Sequence, residues 1–116
     1  MPIARHFEEL EIWQDAKCLS ILIYSQFKKC TDFRFRDQIQ AAAVSIMNNI
    51  AEGFERKKGS KEFERFLYIA KGSAGEVRSM LYLAKEFGYI SDRECENNKA
   101  LCLKISRILY GLISSL

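Results

Sequence analysis

The chain has one histidine, one proline and four cysteines that form no C-x-x-C pair. Each scarcity removes a class of chemistry. A di-iron bundle needs Glu-x-x-His on two of its helices, and haem or zinc needs more ligands than His6 supplies, so no metal or cofactor is expected. A Cys-His nucleophile would also have to use His6, which lies in the N-terminal lead-in away from every cysteine in sequence. His6 itself reads as exposed or capping. Gly72 and Gly75 sit inside a helical pattern with no strand before them, so no glycine-rich phosphate loop is present. An enzyme would rest on carboxylates such as Glu52 and Glu76 alone, and a non-catalytic protein is expected. Apolar runs such as Leu19 to Tyr24 fall far short of the roughly 20 residues that span a bilayer. No apolar segment follows Met1 to His6, so the expectation is a cytoplasmic protein without membrane contact. Cys18, Cys30, Cys95 and Cys102 then read as small buried hydrophobes in a reducing compartment.

What remains is ordinary globular composition, 48% apolar and 28% charged, in a chain long enough for one domain with its own core. Four helical periodicities separate cleanly. Ile12, Ala16, Leu19, Ile23, Phe27 and Cys30 recur at three- and four-residue steps, with Trp13 on the flank. Ile39, Ala43, Ile46, Ile50 and Phe54 line a second face, which Val44, Met47 and Ala51 widen beyond one seam, hinting at a second contact. Phe63, Phe66, Leu67, Ala70, Ala74, Val77, Leu81 and Ala84 form the third stripe; Leu101, Cys102, Ile105, Leu109, Leu112 and Leu116 form the fourth. The punctuation agrees with this division. Thr31-Asp32 and Ser60 offer N-capping oxygens, Gly88 stands where a C-terminal glycine belongs, and Ser91-Asp92-Arg93-Glu94 is a capping box. Such short connections join antiparallel neighbours. The fold expected is all-α, a single up-down-up-down antiparallel four-helix bundle over residues 1–116, with helices at about 9–30, 35–57, 61–87 and 92–115.

The second helix carries polar groups where its apolar face ends. Gln38, Ser45, Asn49, Glu52 and Arg56 fall on one narrow strip, and Gly53 would let another backbone come close. A satisfied polar seam between helices or subunits, a solvated face and a reaction site are the three readings. For the seam, Asn49, Glu52 and Glu76 are expected in one hydrogen-bonded network, beside the small residues Ala70, Gly72, Ser73, Ala74 and Gly75 of the third helix. Arg56, Lys57, Lys58, Lys61 and Arg65 then gather around the second turn. A second basic group, Lys28, Lys29, Arg34 and Arg36, lies at the other end of the bundle. A net charge of +3 permits contact with nucleic acid without demanding it, and either cluster would be multiplied into a ring by assembly.

A family resemblance is carried by particular residues. Phe7, Leu10, Trp13 and Ala16 open the first helix as F-x-x-L-x-x-W-x-x-A. Gln38, Ile39, Ala42, Ser45, Asn49-Ile50-Ala51-Glu52-Gly53, Ser60, Phe63, Phe66-Leu67, Ala70, Gly72-Ser73, Glu76 and Gly88-Tyr89 follow at matching spacing. From about Phe7 to Ile90 the chain resembles the bacterial four-helix-bundle family first noted in intervening sequences of 23S ribosomal RNA genes. That resemblance implies an up-down bundle and a homo-oligomer, with a pentameric ring as the leading candidate. A related group, the accessory proteins of diversity-generating retroelements, resembles this fold, forms such rings and binds nucleic acid and a reverse transcriptase. Neither group implies enzymatic activity. Two departures are visible. Gln40 and Ala41 stand where the family commonly has a basic pair, and Met47 stands where it often has a proline, so the second helix should be straighter than usual.

Two functional readings follow. One is a non-catalytic oligomeric scaffold that binds RNA or DNA through Arg56, Lys57, Lys58, Lys61 and Arg65. The other is a protein-interaction module without a nucleic-acid role, self-associating through the broad apolar side of the second helix and meeting a protein partner elsewhere.

Overall fold

The computed structural model describes residues 4–56 and 59–116, Ser60 by its backbone alone. A 3-10 turn at Phe7–Glu9 precedes four helices, α1 (Glu11–Gln26), α2 (Phe33–Glu55), α3 (Ser60–Glu86) and α4 (Asp92–Ser114). α2 packs on α3, α3 on α4, and α1 on both α2 and α4, which closes a four-helix bundle 43 × 22 × 19 Å across. Among the described residues there is no strand. The four apolar stripes meet in one core, where Leu19, Ile23, Ile46, Ile50, Leu67, Leu81, Ile105 and Leu109 are fully enclosed.

Local chemistry sets the helix boundaries. The first helix begins at Glu11 rather than near Glu9 because the 3-10 turn closes on itself, the Glu9 carboxylate accepting from the Arg5 and His6 amides at 3.1 and 2.8 Å. Phe7 then packs edge-on against Trp13 at 5.1 Å, so the F-x-x-L-x-x-W spacing folds the lead-in onto the core. α2 starts at Phe33, earlier than its apolar stripe suggests, because Asp32 is its N-cap and accepts from the Phe35 amide at 3.3 Å. α3 is N-capped by Gly59, and Ser60, expected as the cap, is its first helical residue. Gly88 takes φ +74°, which lets the Tyr89 amide reach Ala84 O at 2.9 Å and its own amide reach Lys85 O at 3.0 Å. Those are the two bonds of a Schellman termination. At the start of α4 the capping box closes in both directions between Ser91 and Glu94.

One carboxylate ties two turns together at the end of the bundle that holds the α1–α2 and α3–α4 connections. Besides capping α2, Asp32 accepts the Tyr89 hydroxyl at 2.7 Å, and Tyr89 packs on Phe35 and Phe87. That hydrogen bond, with the adjacent negative charge, pushes the phenol up to about 12. Between α1 and α4, Lys104 bridges Glu11 and Asp15 at 3.3 and 3.1 Å, while buried Asn98 donates to Gln26.

Three expectations are corrected. Cys95 and Cys102 are buried, but Cys18 is exposed and Cys30 half-buried, because Cys18 lies on the outward side of α1. Part of the breadth of the α2 apolar face is taken up inside the chain: Met47 packs against the core and its sulfur accepts the Ser20 hydroxyl of α1 at 3.6 Å. The third concerns the small residues of α3. Ala70 and Ala74 pack inside, yet a Cβ on Gly72 or Gly75 would meet nothing within 4 Å.

Candidate nucleic-acid interface

The basic turn stands where α2 ends and α3 begins. Arg56 forms the C-cap of α2, Lys61 lies in the first turn of α3, and Arg65 follows one turn later; all three are exposed. Lys57 and Lys58, between them in sequence, lie outside the described residues. The two arginines converge on Phe66, whose ring has the Arg56 guanidinium 5.7 Å and the Arg65 guanidinium 4.6 Å from its centroid. Carboxylates on their own helices orient them, Glu52 to Arg56 at 3.0 Å and Glu62 to Arg65 at 3.2 Å.

These contacts decide what the turn can do. Exposed ion pairs contribute about 0–1 kcal/mol, so a phosphate can displace Glu52 or Glu62 at little cost. Phe66 is only 6% exposed and is covered by the guanidiniums. It organises the cations and leaves no free face on which a base could stack, so any recognition here reads phosphate rather than base. The second basic group is spent differently: Arg36 pairs with Asp37 at 3.0 Å and lies over the exposed Phe33 ring at 4.8 Å.

Behind the turn, α3 packs closely against Gly53 of α2. A Cβ on Gly53 would lie 2.7 Å from Phe66 Cβ and 3.1 Å from Phe63 Cδ1, so only glycine fits between the two helices. Further along the same interface, the Ser45 and Ser73 hydroxyls are 3.0 Å apart, and Asn49 donates to Ser45 O at 2.8 Å and Ser45 Oγ at 3.0 Å. Gln38 donates to Glu76 at 3.2 Å.

A protein-family model described as 23S rRNA-intervening sequence protein matches residues 8–111. The chain belongs to that family. Among solved structures, the chain is similar to a crystal structure from Bacteroides thetaiotaomicron VPI-5482, titled a protein with unknown function from the S23 ribosomal protein family. The two share 24% identity over 88% of this chain and 97% of that one, with a TM-score of 0.82, which establishes the shared fold. No curated protein matches.

In this intervening-sequence protein the residues read from the sequence separate into contacts of different kinds. Arg56 and Arg65 are brought together over one ring, with Lys61 on the same turn. Gly53 is the close-approach point of α2 and α3. Asn49, Glu52 and Glu76 do not form one network: Asn49 bonds to Ser45, Glu52 to Arg56, and Glu76 to Gln38. They are separated because Asn49 turns back along its own helix while Glu52 follows the C-terminal arginine. Sequence reading missed the Ser45–Ser73 pair and the part played by Phe66. Phe66, next to Arg65 in sequence, was a visible signal for the latter, since arginine stacks readily on an aromatic face. Two grooves also mark the surface, about 490 Å³ along the outer side of α1 by Trp13, Cys18 and Ile21, and about 250 Å³ beside Cys30 and Tyr89. Neither adjoins the basic turn. Among the described residues, no three His, Cys, Asp or Glu side chains gather to hold a metal ion, and no helix is long and apolar enough to cross a membrane.

Proposed function

We propose that this intervening-sequence family protein is a non-catalytic homo-oligomeric scaffold that binds the phosphate backbone of RNA or DNA through Arg56, Lys57, Lys58, Lys61 and Arg65. The observation that carries the reading is the convergence of Arg56 and Arg65 over Phe66. Two guanidiniums held by a ring and by displaceable carboxylates form a fork suited to phosphate oxygens. Lys61 extends the cation surface, and Lys57 and Lys58 add two charges to the same turn. Repeated around a closed assembly, five copies being the leading number, the turns would form a basic ring with a stronger potential than one copy presents.

Contacts confined to phosphate predict binding with little sequence preference and a steep fall with salt as counterions are released. A salt titration of RNA and DNA binding tests this, comparing wild type with Lys57→Glu/Lys58→Glu at matched oligomeric mass. Weaker binding with a shallower salt slope is expected from the variant. Binding that ignores salt, or equal binding by both proteins, would overturn the proposal. In that case a pull-down that survives nuclease treatment would favour the second reading, a protein-interaction module, for which the exposed apolar face of α3 is the specific support.

A further inference from the structure

Acidic side chains are scarce where α3 and α4 lie together. From Asn97 to Leu116 the sequence carries Lys99, Lys104 and Arg107 and no aspartate or glutamate. In α3, Glu76 is the one acid between Glu64 and Glu86, and it is turned to Gln38 of α2. Lys104 is spent on the opposite flank of α4, against Glu11 and Asp15 of α1. Among the described residues, no carboxylate pairs with Lys71, Arg78 or Arg107.

Tyrosines stand among these cations. The Lys99 ammonium lies 4.3 Å from the centroid of the Tyr82 ring and is held by Glu96 at 3.0 Å. That contact fixes the antiparallel register of α3 against α4, as does the Cys95 thiol donating to Leu81 O at 3.5 Å. In that register Tyr110 comes level with Lys71 and within one turn of Tyr68. At about 100° per residue, Tyr68, Lys71, Gly75 and Arg78 share with Tyr82 the flank of α3 turned towards α4. Leu103 and Tyr110 share the flank of α4 that carries Lys99, and Arg107 stands one turn before Tyr110. Tyr68, Tyr82 and Tyr110 are 52%, 56% and 61% exposed. Tyr68 and Tyr82 are separated by about 21 Å along the helix. Between them Gly75 leaves open space where a Cβ would be.

We propose that this α3–α4 flank binds single-stranded nucleic acid, with bases stacked on Tyr68, Tyr82 and Tyr110 and phosphates against Lys71, Arg78 and Arg107. The inference rests on the nucleic-acid reading above for its class of ligand, and adds base contacts that the basic turn cannot make. Phe66 at that turn is 6% exposed beneath two guanidiniums, whereas Tyr82 carries one ammonium and remains more than half exposed. Aromatic rings spaced along a cationic surface suit an unpaired strand, because every base has a face to stack and every nucleotide a charge to neutralise. The span between the tyrosines holds several nucleotides. An acidic protein surface would satisfy the cations but gain little from three exposed rings.

Fluorescence anisotropy with a labelled oligothymidylate a dozen nucleotides long, and with a strand of equal length lacking its bases, separates stacking from phosphate contact. Wild type should bind the intact strand about tenfold more tightly than the abasic one. Tyr82→Leu/Tyr110→Leu should lose that preference while binding the abasic strand as before, with its circular dichroism spectrum and oligomeric mass retained. Tyr82→Phe/Tyr110→Phe should bind as wild type does, since the ring stacks and the hydroxyl does not. Equal affinity of wild type for the two strands, or undiminished preference in the leucine variant, would overturn the stacking surface and leave the basic turn standing. Lys57→Glu/Lys58→Glu should weaken both strands alike. If it changes nothing while the leucine variant loses its preference, the basic turn falls and this flank stands. A wild type that binds neither strand at low salt overturns both.

Discussion

Replacing Gly53 with alanine sets two effects of opposite sign against each other at one atom. On an open helix the change would stabilise α2 by about 1 kcal/mol through reduced chain entropy in the unfolded state. Here the added Cβ would stand 2.7 Å from Phe66 Cβ and 3.1 Å from Phe63 Cδ1. Phe66 Cβ is attached directly to the backbone, so a change of rotamer cannot carry it away. α2 and α3 would have to separate by nearly 1 Å to restore ordinary carbon contact at roughly 3.5 Å. Overpacking of that kind costs about 1–3 kcal/mol, which leaves Gly53→Ala destabilised by about 1 kcal/mol, or about 4 °C in Tm. Gly72→Ala is the matched control, since its Cβ would meet nothing within 4 Å. Urea unfolding followed by far-UV circular dichroism, at low protein concentration, compares the two midpoints at constant slope. The midpoint should fall for Gly53→Ala and rise for Gly72→Ala. A rise of equal size in both would refute the close-approach argument.

Three further outcomes are expected. Asn49→Ala removes both hydrogen bonds to Ser45 beside the Ser45–Ser73 pair, and should lower stability by about 1 kcal/mol in the same urea assay. Tyr89, pushed up to about 12 by its bond to Asp32, should contribute a late ionisation step to a spectrophotometric titration, and Tyr89→Phe should remove that step. Because the folded phenol holds its proton more tightly than the unfolded one, the stabilisation is complete below pH 10 and is lost as pH rises towards 12; Tyr89→Phe should abolish that slope. Native thiol labelling should modify Cys18 first and Cys30 more slowly. It should spare Cys95 and Cys102 until unfolding, because both are buried and burial pushes the Cys102 thiol up to about 12.

The bundle was legible because its cues are local and repeated. An apolar residue every three or four positions needs only the helix period to be read as a stripe, and the residues so read in α3 are buried without exception. The caps were legible for the same reason: Asp32, Gly88 and the Ser91–Glu94 box each act within a few residues of themselves. Breadth of an apolar face was less informative. Met47 widened α2 in a manner that hinted at a second contact, and its own neighbour is Ser20 of α1, which sequence alone could not place on that side.

The candidate site divides along the same line. That Arg56, Lys61 and Arg65 gather around one turn follows from their spacing. That two of them lie over Phe66, with Glu52 and Glu62 holding them, depends on the angle at which α3 leaves the turn. The glycines make the distinction plainest. Gly53, Gly72 and Gly75 are alike in sequence, each a mid-helix residue without a side chain. Only packing separates the one pressed against Phe66 from the two that face outward. Sequence by itself determined four helices, their order and their buried faces, because periodicity and capping are properties of neighbouring residues. Tertiary structure alone decided which small or charged residue meets which partner, because those contacts depend on distances between segments that no local pattern records.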